Sequence, residues 1–315
     1  LGVLFFAANL AFAAERDTIA AKVGKETISV GEVNREMKTA LGDRKLAADE
    51  REVLQAQTLG LLANRQLVIQ YLRKMKLGAA EKDIDQELER LSAQLQRQQK
   101  TLDDFLKSEG ITKTELRRDI AWRTGWSKYL ETKITPESIT KYFNSHKQDF
   151  DGTRIHAAHL LLKVEPGADA AAVQKAVDRA GEMREQIQAK KITFADAVKK
   201  YSQAPTAADG GDIGLISRHE PMPEAFSEAA FELEPGQTSE PVLTSFGVHL
   251  VHCLAIQPGK LTLKDDGVED EVRGDLVRYL FMWVAEKQRV DSPIEFTAAL
   301  PHFDLETGKL VNAKP

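Results

Sequence analysis

Between Ser202 and Leu250 the chain reads SQAPTAADGGDIGLISRHEPMPEAFSEAAFELEPGQTSEPVLTSFGVHL. Gly210, Gly211 and Gly214 crowd one short stretch, and glycine is the residue that turns the backbone where other side chains clash. Pro235-Gly236 breaks the chain again, and a strand pattern then runs into His249. Short apolar runs punctuated this closely specify a small sheet with short helices around it. The flanking sequence agrees. Arg154 to Val164 (RIHAAHLLLKV) reads as a strand and Glu165 to Asp169 as a turn. Helices follow at Ala170 to Ala189 and Phe194 to Tyr201. Ile213 to Ile216 is a short strand, Glu224 to Phe231 a helical turn, and Val242-Leu243 and Val248 to Ala255 are closing strands. Pro258-Gly259 ends this α+β unit, for which the reading sets bounds of 151–257.

The preceding sequence has a different texture. Ile19 to Val23 and Glu26 to Ile28 flank Gly24-Lys25 as a hairpin, and Ser29 with Glu32 forms a capping box that starts a helix to about Leu41. A long helix is expected from Glu50 to Met75, with Leu61, Leu62, Val68, Ile69, Leu72 and Met75 as its apolar stripe. Ile84, Leu88, Leu91 and Leu95 share one face of the next. Helices over Leu102 to Ser108 and Lys113 to Lys133 complete a mostly helical domain, bounded at 14–150. Trp122 and Trp126, four apart on one face, fit core packing, with an apolar client groove as the functional alternative. Val268 to Val290 is apolar enough to need a partner, so it is expected to pack back on this domain. Residues 297 to 315 read as a short, loosely ordered end of a 258–315 segment.

The N-terminus, LGVLFFAANLAFAAE, is an apolar run closing on Ala11-Phe12-Ala13 before charge begins at Glu15. It reads as the remnant of a secretory leader over residues 1–13, which places the protein outside the cytoplasm, in a periplasm or similar compartment. Net charge of -5 argues against a nucleic-acid partner. No run reaches the roughly 18 apolar residues of a membrane span. One cysteine, Cys253, permits no intrachain disulfide.

Seven histidines invite a metal reading. His156 and His159 alternate across a strand, as do His249 and His252, and CxxC and HExxH are absent, so no metal or other cofactor is expected. Cys253 lies in an apolar strand, unlike the exposed electropositive setting of a reactive thiol. GxSxG is absent. His159 and His249 remain, on inward faces of two strands.

Several residue groups then align in order: Ala158-His159-Leu160-Leu161, Phe194, Tyr201-Ser202-Gln203, Gly210-Gly211-Asp212-Ile213-Gly214, Met222-Pro223-Glu224-Ala225-Phe226, Ala230-Phe231, Ser239-Glu240-Pro241-Val242 and Phe246-Gly247-Val248-His249. Residues 154 to 257 resemble a parvulin-type peptidyl-prolyl cis/trans isomerase domain. The wider layout resembles the SurA and PrsA group of exported folding factors. The resemblance implies an α+β architecture: a helical chaperone-like domain, a small antiparallel-rich sheet with surrounding helices, and a C-terminal helix returning to the first domain. It implies isomerisation of X-Pro bonds in unfolded exported polypeptides, without covalent steps. Met222, Phe226, Phe246 and Ile213 would form the proline pocket. His159, His249 and Thr244 would form its polar floor. Ala204 stands where active relatives carry Asp or Cys, which implies low activity. The acidic turn at 165–169 implies no phosphate requirement. The alternative is a non-catalytic holdase that uses the same unit as a peptide clamp.

Overall fold

The computed structural model describes residues 18–164, 170–219, 221–305 and 310–314, except positions 43 and 45. The expected leader and the turn at 165–169 lie outside them. The chain forms two compact units, residues up to 136 together with those from 275 onward, and residues 137–274.

In the first unit, β1 (Ile19–Val23) and β2 (Glu26–Ser29) form the expected hairpin. Ser29 then caps α1 (Val30–Leu41): the Glu32 amide donates to Ser29 Oγ at 3.2 Å, and the Ser29 amide donates to the Glu32 carboxylate at 2.9 Å. Two of the helix's orphan amide donors are satisfied reciprocally, a contribution of about 1 kcal/mol. The long helix α2 (Ala48–Lys74) buries Leu59, Ala63, Leu67, Val68 and Leu72 against Val23, Val33 and Met37. Leu61 and Met75 do not belong to this stripe; they are 41% and 50% exposed. Leu61 lies two residues from both Leu59 and Ala63, about 200° around the helix, and Met75 falls just past the helix end. A second cluster joins Ile84 and Leu88 of α3 (Glu81–Arg97) to Leu116 and Ile120 of α5 (Lys113–Lys133), with Phe105 of α4 (Leu102–Glu109) against it.

Trp122 and Trp126 stack at 5.4 Å, and Phe281 meets both edge-on at 5.7 and 6.0 Å. Phe281 comes from α11 (Val268–Arg289), whose Val284 and Ala285 are fully buried in the first unit's core. The C-terminal helix therefore returns to the N-terminal domain, as its apolar sequence requires. The tail after it differs from the expected loose end. Strand β7 (Ile294–Phe296) extends the hairpin into a sheet of order β2-β1-β7, Thr297 donates its amide to Ala20, and Leu300 enters the core. Alternation over three residues is too short a signal to read from sequence.

The second unit opens on α6 (Pro136–Ser145) and α7 (Lys147–Phe150). Its sheet has the order β4-β3-β6-β5 and is antiparallel throughout: β3 (Arg154–Lys163) and β6 (Gly247–Gln257) are central, β4 (Asp212–Ile216) and β5 (Val242–Thr244) are edges. One face packs Leu160, Leu162, Val248 and Leu250 against α8 (Ala170–Gln188) and α9 (Phe194–Tyr201). The other packs Ile155, Ala157, Val251 and Cys253 against Phe226, Ala230 and Phe231 of α10 (Glu224–Phe231). Burial on both faces explains why β3 reads as a continuous apolar run rather than an alternating one. Among the described residues no helix is long and apolar enough to cross a membrane.

Candidate functional site

The strand register decides which histidines meet. Leu161 pairs with His249 and His159 with Val251, so His159 and His249 are diagonal neighbours on one face of the sheet. Their Nδ1 atoms are 3.1 Å apart and their rings stack at 5.3 Å. One Nδ1 must donate and the other accept, which requires at least one neutral ring. His249 Nε2 lies 2.8 Å from Thr244 Oγ1, and the Phe246 amide donates to that same hydroxyl oxygen at 3.1 Å. The result is a hydrogen-bonded chain from a turn amide through Thr244 and His249 to His159. Phe226 stands edge-on to both rings, at 5.7 Å from His159 and 5.4 Å from His249.

Burial sets the protonation of this pair. His159 and His249 are 8% and 3% exposed. Desolvation holds His159 below the ordinary imidazole range; desolvation, then the proximity of His159, lowers His249 to about 4. Both are neutral at physiological pH, so the pair presents lone pairs and N–H dipoles rather than charge. His252, on the opposite face of β6, is also held low by burial; it bonds Thr238 Oγ1 at 2.9 Å and stacks on Phe194 at 4.6 Å. Burial pushes the Cys253 thiol up, the setting of an inert core cysteine. Among the described residues no cluster of three metal-binding side chains occurs.

Ile213 and Met222 are half-buried and pack against the Phe226 cluster. Phe246 is not brought into it. Its side chain is 62% exposed, and what ties it to the site is its backbone amide on Thr244. The turn into β6 is tight: Gly247 has φ +128°, and a Cβ there would sit 2.3 Å from the Leu162 carbonyl oxygen. A turn held this close to β3 leaves the ring at position 246 outside the core.

The other motif residues are fasteners. Ser202 Oγ accepts from the amides of Leu161 at 3.1 Å and Ala204 at 3.2 Å, and Gln203 Oε1 accepts from the Lys163 amide at 2.8 Å. They clip the end of α9 to β3 and seat Ala204, which is buried. The bond from the Ala204 amide is a serine turn, a reading that Ser202 at a helix end could have supplied. Asp212 accepts from the Gly214 amide at 2.8 Å and meets His156 Nε2 at 2.9 Å; the amide first, and His156 with it, holds the carboxyl below its usual range. Gly211, at φ +82°, lies so close to β3 that a Cβ would stand 2.2 Å from the His159 carbonyl oxygen. The glycine pair thus lets the β4 turn close directly on the strand that carries His159.

Residues 159–255 match the family described as the PPIC-type peptidyl-prolyl isomerase domain. This chain carries a parvulin-type isomerase domain. Residues 2–130 match the SurA-like N-terminal domain. The chain therefore joins a PPIC-type peptidyl-prolyl isomerase domain to a SurA-like N-terminal domain. Foldase protein PrsA of Clostridium acetobutylicum is 25% identical over 280 residues, covering 81% of this chain and 79% of that protein. Chaperone SurA of Hahella chejuensis is 24% identical over 281 residues, 85% of this chain and 62% of that one. Against SurA relatives the chain spans roughly three fifths of their length. A solved peptidylprolyl isomerase (PrsA) from Bacillus anthracis aligns over 73% of this chain and 96% of that one, at 19% identity and a TM-score of 0.37.

Proposed function

We propose that the pocket over His159 and His249 binds proline-containing segments of unfolded exported proteins and catalyses rotation of the X-Pro bond. The observation that supports it most is the neutral, hydrogen-bonded chain Thr244–His249–His159 lying beneath the edge of Phe226. Rotation faces a barrier of roughly 18–20 kcal/mol because the amide must lose conjugation, and it needs neither nucleophile nor metal. A slot of the half-buried Met222 and Ile213, backed by the fully buried Phe226, grips the pyrrolidine ring and removes water from the amide. The polar floor fixes the shape of that slot and favours the twisted amide over the planar one. Each tenfold of rate requires about 1.4 kcal/mol of such preference. Phe246, exposed beside Thr244, is the ring a bound peptide would cover.

Ala204 supplies no hydrogen bond to the floor, so the rate is low among such enzymes. A second feature bears on a holdase role: a cavity of about 750 Å³ in the helical unit, where Leu62, Leu91, Phe105 and Trp122 lie among charged groups such as Arg35, Arg118 and Arg123, a mixed lining that suits a polypeptide better than a purely apolar ligand. The unit that carries the paired histidines would turn over proline bonds while the helical unit, residues up to 136 with those from 275 onward, retains the client. The leader at 1–13 directs the protein to a periplasmic or similar extracytoplasmic space. A protease-free assay on a proline tetrapeptide tests catalysis; suppression of aggregation of a denatured client by the chain lacking 154–257 tests retention. Uncatalysed rates with full suppression would leave the holdase alone standing.

A further inference from the structure

The segment that carries Met222 has an anchor outside the pocket. Residues 217–219 follow β4, and residues 221–223 precede α10 with Pro223 as its N-cap. Pro221 and Pro223 flank Met222, and proline has no N–H with which to fasten a loop. The Pro223 carbonyl ties down the α10 end, accepting from the Phe226 and Ser227 amides at 2.9 and 3.0 Å, and the β4 side is held by other groups. Arg218 supplies them. Its Nη2 is 2.8 Å from the Glu224 carboxylate, at the start of the helix that bears Phe226. Its Nε is 3.6 Å from Asp149 on α7, which leads into the strand that bears His159. Burial works against the Arg218 charge, but Glu224, Asp149 and Glu228 outweigh it and hold the group protonated.

The arms differ in weight. The Glu224 side chain is 65% exposed, and an exposed pair contributes little by itself. Arg218 and Asp149 are 11% and 22% exposed, so that arm is shielded from water. One buried nitrogen, Arg218 Nη1, has no partner among the described residues.

We propose that Arg218 is a positioning residue of the isomerase: its ion pairs with Asp149 and Glu224 hold Pro221-Met222-Pro223 so that Met222 stays packed against the Phe226 cluster. The proposal rests on the assignment of that cluster as the proline slot. The test uses the full chain with ¹³C-labelled methionine methyls, which are only five. In Arg218→Gln the Met222 methyl should shift and its order parameter should fall, while the buried Met37 and Met183 methyls stay unchanged. KM for a proline tetrapeptide should rise about tenfold, with kcat changed less than about twofold. Arg218→Lys should recover part of this, since it keeps the charge and loses the planar fork. Asp149→Asn should reproduce the pattern. An unmoved Met222 methyl in both Arg218→Gln and Asp149→Asn overturns the proposal. So does a change that spreads to Met183 and deprotects Cys253, which would mark a general loss of structure. The methyl readout needs no turnover: absent catalysis in the unmodified chain defeats the isomerase reading and still leaves the clamp to be judged.

Discussion

Acid should destabilise the isomerase unit before its carboxylates titrate, because its buried histidines are held neutral. An unfolded histidine binds a proton below its ordinary value of 6.5, and folded His249 binds one only below about 4. Between those values the unfolded state holds more protons, so stability is full above 6.5 and declines as pH falls toward 4. The gap of about 2.5 units, at about 1.4 kcal/mol each, gives a loss on the order of 3 kcal/mol. His249 is 3% exposed, so water screens little of it. His159 and His252 act in the same direction. Against a typical total of about 5–15 kcal/mol this is a large fraction. Cys253 offers a reporter, being the only cysteine and fully buried in β6. Its reaction with 4,4′-dithiodipyridine, which proceeds in acid, can be followed through urea titrations. The midpoint should fall by roughly 1–2 M from neutral pH to just above 4. Fluorescence of Trp122, Trp126 and Trp283, all in the other unit, should not share that shift. His249→Asn should be less stable at neutral pH and show a flatter acid slope. An unchanged midpoint, or an equal slope in His249→Asn, refutes the reasoning.

Other outcomes follow from single contacts. Gly211→Ala should cost about 2–4 kcal/mol by the same thiol assay, since its Cβ meets the His159 carbonyl oxygen, whereas Gly214→Ala, with a positive φ but open space, should cost about 1 kcal/mol. Ala204→Cys should raise kcat/KM by up to about tenfold; an unchanged value removes Ala204 as the reason for low activity. Met222→Ala should raise KM about tenfold in the tetrapeptide assay, while a fall in kcat alone would place it outside the slot.

Much of the fold was legible because local rules set it. Ser29 and Glu32 announced α1, and the wide stripe of Val68, Ile69 and Leu72 announced α2. What was missed depends on partners distant in sequence. Leu61 looked like a core residue until Leu59 and Ala63 fixed the buried face. β7 exists because β1 offers it an edge, which three residues cannot advertise. In the site, His159 and His249 could be placed on inward faces, but their contact follows from a register that pairs Leu161 with His249. Phe246 reads like a core ring by its type, but the Gly247 turn keeps it 62% exposed and outside the Phe226 cluster. Arg218 gave no signal, because its partner Asp149 lies in another element and its charge alone suggests a solvated surface.

Catalysis of X-Pro rotation by the pocket over the paired histidines is the central claim, and a protease-free assay of the full chain on a proline tetrapeptide meets it most directly. The account predicts a rate above the uncatalysed one, proportional to enzyme concentration and lowered at least tenfold in His159→Ala, whose Cys253 stays protected. A rate equal to background at high enzyme concentration, or an undiminished rate in that variant, would contradict it.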